Sequence, residues 1–219
     1  LPKCTKDLSN FRYQDNYPRQ KFFEQAPADY VTTQALGIAT VLQALHNADM
    51  YVIDIKPSNM LLCKHPENGN EQLYLADVED VIFGTEPRPE WVCTDTYSCE
   101  IQKELTNLAA DDFLNNRLNP KLRYAFVDWV AFSISMNKFK VSKGQGLNMN
   151  QVLFKLIEKT VEVANDILRQ KLTVTDIRTG IEEVLQDWRK MSANFLLNWK
   201  EERIQCPTPQ RNNQAALKL

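Results

Sequence analysis

The chain has 219 residues, of which 43% are hydrophobic and 25% charged, a composition typical of a globular protein large enough to bury a core. Its formal net charge of -2 excludes a bulk electrostatic attraction to nucleic acid or to an anionic membrane surface. No apolar run is long enough to span a bilayer and no secretory signal is present, although the chain begins at Leu1 rather than at Met. We therefore expect no nucleic-acid partner and no membrane span in this chain.

The first half of the chain predicts one helix followed by short strands. Over residues 29–48 apolar side chains recur at helical spacing and form one buried face, made by Val31, Ala35, Ile38, Leu42 and Leu45. Short apolar runs with turn residues between them then predict strands over 50–53, 60–63 and 72–76. The last two of these strands are expected to form a small hairpin.

The second half predicts helices. We expect one over residues 100–118, a buried one over 124–136, and two amphipathic ones over about 149–170 and 175–203. Asp128 is the only charge on the buried helix, where it is costly unless it is hydrogen-bonded. The last helix is expected to bury Ile177, Ile181, Val184, Leu185, Trp188, Met191, Phe195 and Trp199. The polar tail over 204–219 is predicted to be disordered.

The five cysteines do not have the spacing of a zinc site, since no Cys-x-x-Cys occurs and neither histidine accompanies a cysteine cluster. Cys93 and Cys99 can close a small disulfide loop if the protein resides in an oxidising compartment. In a reducing compartment they are free thiols on a polar loop. The sequence leaves both alternatives open.

The loop between the first two strands carries the side chains that phosphoryl transfer needs. Asp54, Lys56 and Asn59 supply a carboxylate, a cation and an amide, and Asp77 follows the third strand as a second carboxylate. Asp and Asn are also ordinary turn residues, so a simple turn is the alternative. Lys56 and Pro57 between them, together with Asp77 downstream, favour a catalytic site.

The D-x-K-P-x-N run of residues 54–59, preceded by Leu45-His46, resembles the catalytic loop of protein kinases. The order of the predicted elements resembles the C-terminal lobe of that family, and Asp128 resembles the structural Asp of its central helix. The resemblance implies a mainly α (α+β) fold. It divides the chain into a hinge-like segment over 1–12, a kinase-like C-terminal lobe over 13–203 and the tail.

The resemblance also implies roles. Asp54 would orient the acceptor hydroxyl and take its proton, and Lys56 would neutralise charge on the transferred phosphoryl group. Asn59 and Asp77 would hold Mg²⁺, and both would contact ATP together with Leu61. The implied cofactors are ATP and magnesium, and the implied substrate is a Ser or Thr hydroxyl of a protein.

Several positions depart from the kinase pattern. Val52 and Ile53 stand where kinases have His and Arg, and Val78 and Glu79 stand where they have Phe and Gly. Residues 1–50 cannot supply the nucleotide-binding N-terminal lobe, so we expect the isolated chain to be inactive and to belong to a longer protein. The alternatives are a pseudokinase scaffold, or a truncated decoy of a kinase lobe that binds a protein partner.

One kinase subfamily shares some of these departures. The run from Asp77 to Phe83, and the later one from Cys93 to Cys99, resemble the divergent-protein-kinase-domain family of the secretory pathway. That resemblance implies a lumenal or secreted protein with a Cys93–Cys99 disulfide. The absence of any N-x-[ST] glycosylation site counts against that resemblance. Taken together, these features favour the secretory pathway slightly over the cytoplasm.

Overall fold

The computed structural model describes residues 3–7, 28–52, 54–64, 71–78, 81–86, 98–112, 115–137, 151–169 and 172–205. This part of the chain is mainly helical with two small sheets, which confirms the mainly α (α+β) class. Five α-helices lie within it: α1 (Ala28–Asn47), α2 (Glu100–Asp111), α3 (Pro120–Asn137), α4 (Gln151–Leu168) and α5 (Val174–Gln205). None of them is both long enough and apolar enough to cross a membrane.

The core forms around α3, which is buried on nearly every side from Tyr124 onward. This explains why its sequence shows no polar face. Trp129 on α3 stacks on Trp188 of α5, with ring centroids 4.3 Å apart and planes at 4°. Both rings are fully buried, and Trp188 Nε1–H donates to Thr160 Oγ1 on α4 at 3.0 Å. The three helices are thus joined by aromatic contacts and one buried hydrogen bond.

The apolar face predicted for the last helix is confirmed from Ile177 to Phe195. Ile177, Ile181, Val184 and Trp188 are buried, while Leu185, Met191 and Phe195 are partly buried against the core. The Trp199 side chain lies outside the described residues. The helix itself continues to Gln205, two residues further than predicted, and residues 206–219 of the predicted tail lie outside the described part of the chain.

Helix α2 ends at Asp111, so the prediction of a helix to residue 118 was wrong at its C-terminal end. The Asp112 carboxylate accepts hydrogen bonds from Asn115 Nδ2 at 2.9 Å and from the Arg117 N–H at 3.2 Å. Asp side chains compete in this way with helical hydrogen bonding. Asn116 then takes a left-handed conformation, with a φ of 47°, and the chain turns towards α3.

Strands β1 (Lys3–Asp7), β3 (Met60–Lys64) and β4 (Glu71–Leu75) form an antiparallel sheet in the order β1-β3-β4. Strands β2 (Met50–Tyr51) and β5 (Ile82–Phe83) form a second antiparallel pair. The β3–β4 hairpin was predicted, but β1 falls within the segment interpreted as hinge-like, whose residues 8–12 lie outside the described part. Its pairing with β3 adds a third strand beside the predicted catalytic loop.

A disulfide bond that the sequence analysis did not predict joins Cys4 to Cys63. The two residues lie opposite each other on β1 and β3, and the bond fastens the N-terminal strand to the hairpin. Cys99 is also disulfide-bonded. The predicted Cys93–Cys99 pairing therefore stays a prediction, because Cys93 lies among the residues not described.

Replacing both Cys4 and Cys63 by Ala should lower the free energy of unfolding by about 4 kcal/mol. The bond links residues 59 positions apart, and a loop of that length restricts the unfolded chain by about this amount in the chain-entropy treatment. Urea unfolding of the double variant and the wild type measures the difference. Free thiols at Cys4 and Cys63 in peptide maps of the native, non-reduced protein would contradict the pairing.

Asp112→Asn should destabilise the fold at neutral pH and much less in acid. The hydrogen bond from Asn115 holds the pKa of the Asp112 carboxyl below its ordinary value, against the opposing effect of burial, and Arg117 lowers the pKa further. A carboxylate with a lowered pKa stabilises the fold above about pH 4, and this stabilisation is lost as the pH falls through the folded-state pKa.

Urea midpoints of Asp112→Asn and wild type, measured from pH 7 down to pH 3, test this prediction. The gap between the two proteins should be widest at pH 7 and should narrow in acid. Asp111→Asn, one residue earlier and exposed, is the matched control and should unfold like the wild type. A gap that stays constant with pH would contradict the proposed role of the carboxylate.

Candidate functional site

The β3–β4 hairpin brings two of the predicted site residues together. Its register places Met60 opposite Leu75, so the residue that precedes β3 neighbours the residues that follow β4. The Ala76 N–H donates to the Asn59 carbonyl at 2.7 Å and extends the ladder by one step. Asn59 and Asp77, 18 positions apart, therefore meet at the open end of the hairpin.

Asn59 is the centre of this group. Its side-chain Nδ2 donates to the Asp54 carbonyl at 3.0 Å and lies 3.4 Å from Asp77 Oδ2. Asn59 is only 7% exposed, whereas Asp77 is exposed and takes a left-handed backbone conformation with a φ of 56°. Asp and Asn adopt that conformation more readily than most residues. The structure thus joins three of the predicted residues through one amide.

Asp54 and Lys56 form an ion pair within the same loop, between Asp54 Oδ2 and Lys56 Nζ. The two side chains are 15% and 28% exposed, so the pair lies at the edge of the solvent. Pro57 begins a 3₁₀ turn (Pro57–Asn59), for which its fixed φ is suited. The Asn59 N–H closes the turn on the Lys56 carbonyl at 3.0 Å. Leu61, predicted to contact the nucleotide, is half-buried on β3.

The other end of the loop is fixed by Asp128 on α3. Its carboxylate is fully buried, and Oδ2 accepts the Val52 N–H at 2.7 Å. His46 Nε2 lies 3.1 Å from the same oxygen. Val52 precedes Asp54 by two residues, so the buried carboxylate fixes the backbone where the polar loop begins. The hydrogen bonds offset the cost of burying the charge.

The contact between His46 and Asp128 was not predicted by the sequence analysis. The His46 ring stacks on Tyr51, with centroids 5.2 Å apart, and meets the edge of Trp129 at 5.7 Å. These contacts hold the ring against the Asp128 carboxylate. A signal was present, because a single acidic residue on an apolar helix needs a polar partner, and His46 is one of only two histidines.

The donor set suits a hard cation. Asn59 and Asp77 offer amide and carboxylate oxygens, and Mg²⁺ in nucleotide sites takes few protein ligands beside phosphates and waters. No group of three or more His, Cys, Asp or Glu residues that could hold a metal ion occurs in the described part of the chain. Asn59 and Asp77 would therefore supply two oxygen ligands, and other groups would have to fill the remaining coordination positions of a metal ion.

No protein-family model matches this chain, and no curated protein and no solved structure matches it either. What the chain can do is therefore inferred from its local geometry. That geometry consists of one amide-centred cluster, an ion pair beside it, and a buried carboxylate beneath the same loop.

Asp128→Ala should lower the free energy of unfolding by roughly 3 kcal/mol or more. It leaves the buried Val52 N–H without the acceptor at 2.7 Å and removes the partner of His46. Ser133→Ala on the same helix is the matched control, because its buried Oγ has no hydrogen-bond partner among the residues that the structure describes, so that variant should be neutral or slightly stabilising. Denaturant unfolding compares them, and equal effects would contradict the anchoring role of Asp128.

Proposed function

We propose that this chain is the C-terminal lobe of a divergent protein kinase, which transfers phosphate from ATP to a Ser or Thr hydroxyl when it is joined to a nucleotide-binding N-terminal lobe. The observation that carries the proposal is the cluster around Asn59, whose amide contacts both the Asp54 backbone and the Asp77 carboxylate. A carboxylate base and two candidate metal ligands thereby lie together at the open end of the β3–β4 hairpin, as phosphoryl transfer requires.

Each side chain has a distinct task in this proposal. Asp54 accepts the proton of the acceptor hydroxyl and orients it, which contributes about 10² to 10⁴ in rate for a well-placed base. Lys56, already paired with Asp54, supplies positive charge beside the transferred group. The anchored Val52 backbone keeps Asp54 in place, and such positioning accounts for most of the rate in this chemistry.

The cofactors of this proposal are ATP and Mg²⁺. Asn59 and Asp77 would hold the metal, and Leu61, half-buried on β3, would contribute apolar contact to the nucleotide. When bound, the metal neutralises charge on the phosphates and favours their displacement. The protein's own part is to present the two oxygen ligands beside Asp54.

One observation favours a second candidate, a pseudokinase scaffold that binds a protein partner. Val78 stands at the position where the kinase pattern has Phe, and its side chain is 43% exposed. An exposed residue here does not fasten the segment after Asp77 to the core of the lobe. Of the other divergent positions, Val52 is buried and its N–H donates to Asp128, while Ile53 and Glu79 lie outside the described residues.

The disulfides support a location in the secretory pathway. Cys4 and Cys63 are bonded to each other, and Cys99 is bonded as well. Structural disulfides persist in oxidising compartments and are rare in the cytosol. We therefore propose that the protein acts in the lumen of the secretory pathway or outside the cell.

Asp54→Ala should abolish phosphoryl transfer by the full-length protein, including any sequence encoded before Leu1, with a loss of at least about 10²-fold, since the variant lacks the proposed base. The measurement is transfer of labelled phosphate from Mg²⁺-ATP to Ser- and Thr-containing peptides. Asp77→Ala should weaken Mg²⁺-ATP binding, which calorimetry measures directly.

The matched control is Asp166→Ala, which removes a partly exposed carboxylate on α4 and should leave both transfer and binding unchanged. Turnover that is unaffected by Asp54→Ala would refute the catalytic assignment. Nucleotide binding with no turnover in the wild type, or no nucleotide binding at all, would favour the scaffold.

A further inference from the structure

A cavity of about 410 Å³ lies behind the candidate site, between the end of α1, the first turns of α3 and the middle of α5. Its volume is within the range of pockets that hold small molecules. None of Asp54, Lys56, Asn59, Leu61 and Asp77 lines it. Its polar lining includes Gln43, His46, Asp49, Tyr51, Lys121 and Arg189.

Three charged side chains line the cavity: Asp49, Lys121 and Arg189. The first two form an ion pair and neutralise each other. Lys121 Nζ lies 2.7 Å from Asp49 Oδ2, and the Tyr51 hydroxyl donates to Asp49 Oδ1 at 3.0 Å. The hydrogen bond from Lys121 lowers the pKa of the Asp49 carboxyl, so the group stays ionised at neutral pH. Asp49 therefore presents little uncompensated negative charge to the cavity.

Arg189 is the remaining charge. It lies on α5 at the cavity, it is exposed, and it makes no ion pair with any residue in the described part of the chain. Arg178, eleven residues earlier on the same helix, is paired instead with Glu182 at 2.8 Å. The cavity thus carries a net positive charge located on a planar group that binds carboxylates and phosphates with two parallel hydrogen bonds.

Part of the cavity lining is apolar. Leu122, Ala125 and Trp129 of α3 line one part of it, and Leu185 of α5 lies on the same side as Arg189, one turn away. A ligand that fills this space buries an apolar body against these side chains and keeps its anionic group at the mouth. A bare inorganic anion would leave the apolar part unfilled.

We propose that this cavity is a binding site for a small anionic molecule with an aromatic or aliphatic body, whose carboxylate or phosphate pairs with Arg189. The site does not depend on the phosphoryl-transfer proposal. Its position nevertheless connects it to the catalytic segment, because His46 lines the cavity and contacts Asp128, whose Oδ2 accepts the Val52 N–H.

Titration of the 219-residue chain with phenyl phosphate and with benzoate, followed by ¹H–¹⁵N NMR, tests this proposal. We expect saturable shifts at amides around the cavity, including those of Asn47, Lys121 and Arg189. Arg189→Gln should weaken binding of both probes about tenfold, since a charge-assisted hydrogen bond contributes at least about 1.4 kcal/mol. Arg189→Lys should keep part of the affinity.

Arg178→Gln is the matched control and should bind both probes like the wild type. Benzyl alcohol, which has the same ring without a charge, should bind at least tenfold more weakly than phenyl phosphate. Equal affinity for benzyl alcohol, unchanged binding in Arg189→Gln, or shifts confined to residues 54–61 would overturn the proposal. Because Asp54→Ala should leave these titrations unchanged, a failure of the catalytic proposal is distinguishable from a failure of this one.

Discussion

The buried carboxylate of Asp128 is the constraint on which the candidate site depends. A fully buried charge on an apolar helix is stable only with partners, and it has the Val52 N–H and His46. These contacts tie the backbone just before Asp54 to α3. Helix α3 is in turn held by the stacking of Trp129 on Trp188. Packing in the centre of the protein therefore fixes the position of the polar loop at this end.

The far end of the loop has a different anchor. Asn59 begins the β3–β4 hairpin, whose register brings Asp77 next to it, and β1 reinforces the hairpin through the Cys4–Cys63 bond. Only a few residues lie between the two anchors, so the backbone of Asp54 and Lys56 has little freedom. A short segment held at both ends keeps its polar groups in fixed positions, as is needed where chemistry depends on placement.

The sequence predicted local features well and long-range ones poorly. Periodicity located α1, α4 and α5, and a nearly continuous apolar run located α3, all within a few residues, because each helix buries a defined set of side chains. The C-terminal end of α2 at Asp111 was not predicted, because it depends on hydrogen bonds from Asn115 and Arg117 to Asp112. The periodicity of apolar residues carries no information about such bonds. The Cys4–Cys63 bond and the His46–Asp128 contact join residues 59 and 82 positions apart, and no local pattern specifies such pairs.

The stacking of Trp188 on Trp129 also limits how far the protein can be truncated from its C-terminal end. Helix α5 covers the ring at the centre of α3, and Trp188 lies near the middle of that helix. A shortened protein that ends before this residue would expose an indole surface to water and lose the hydrogen bond to Thr160. Since α3 carries Asp128, the smallest fragment that can be expressed in folded form with an intact polar loop must extend beyond Trp188.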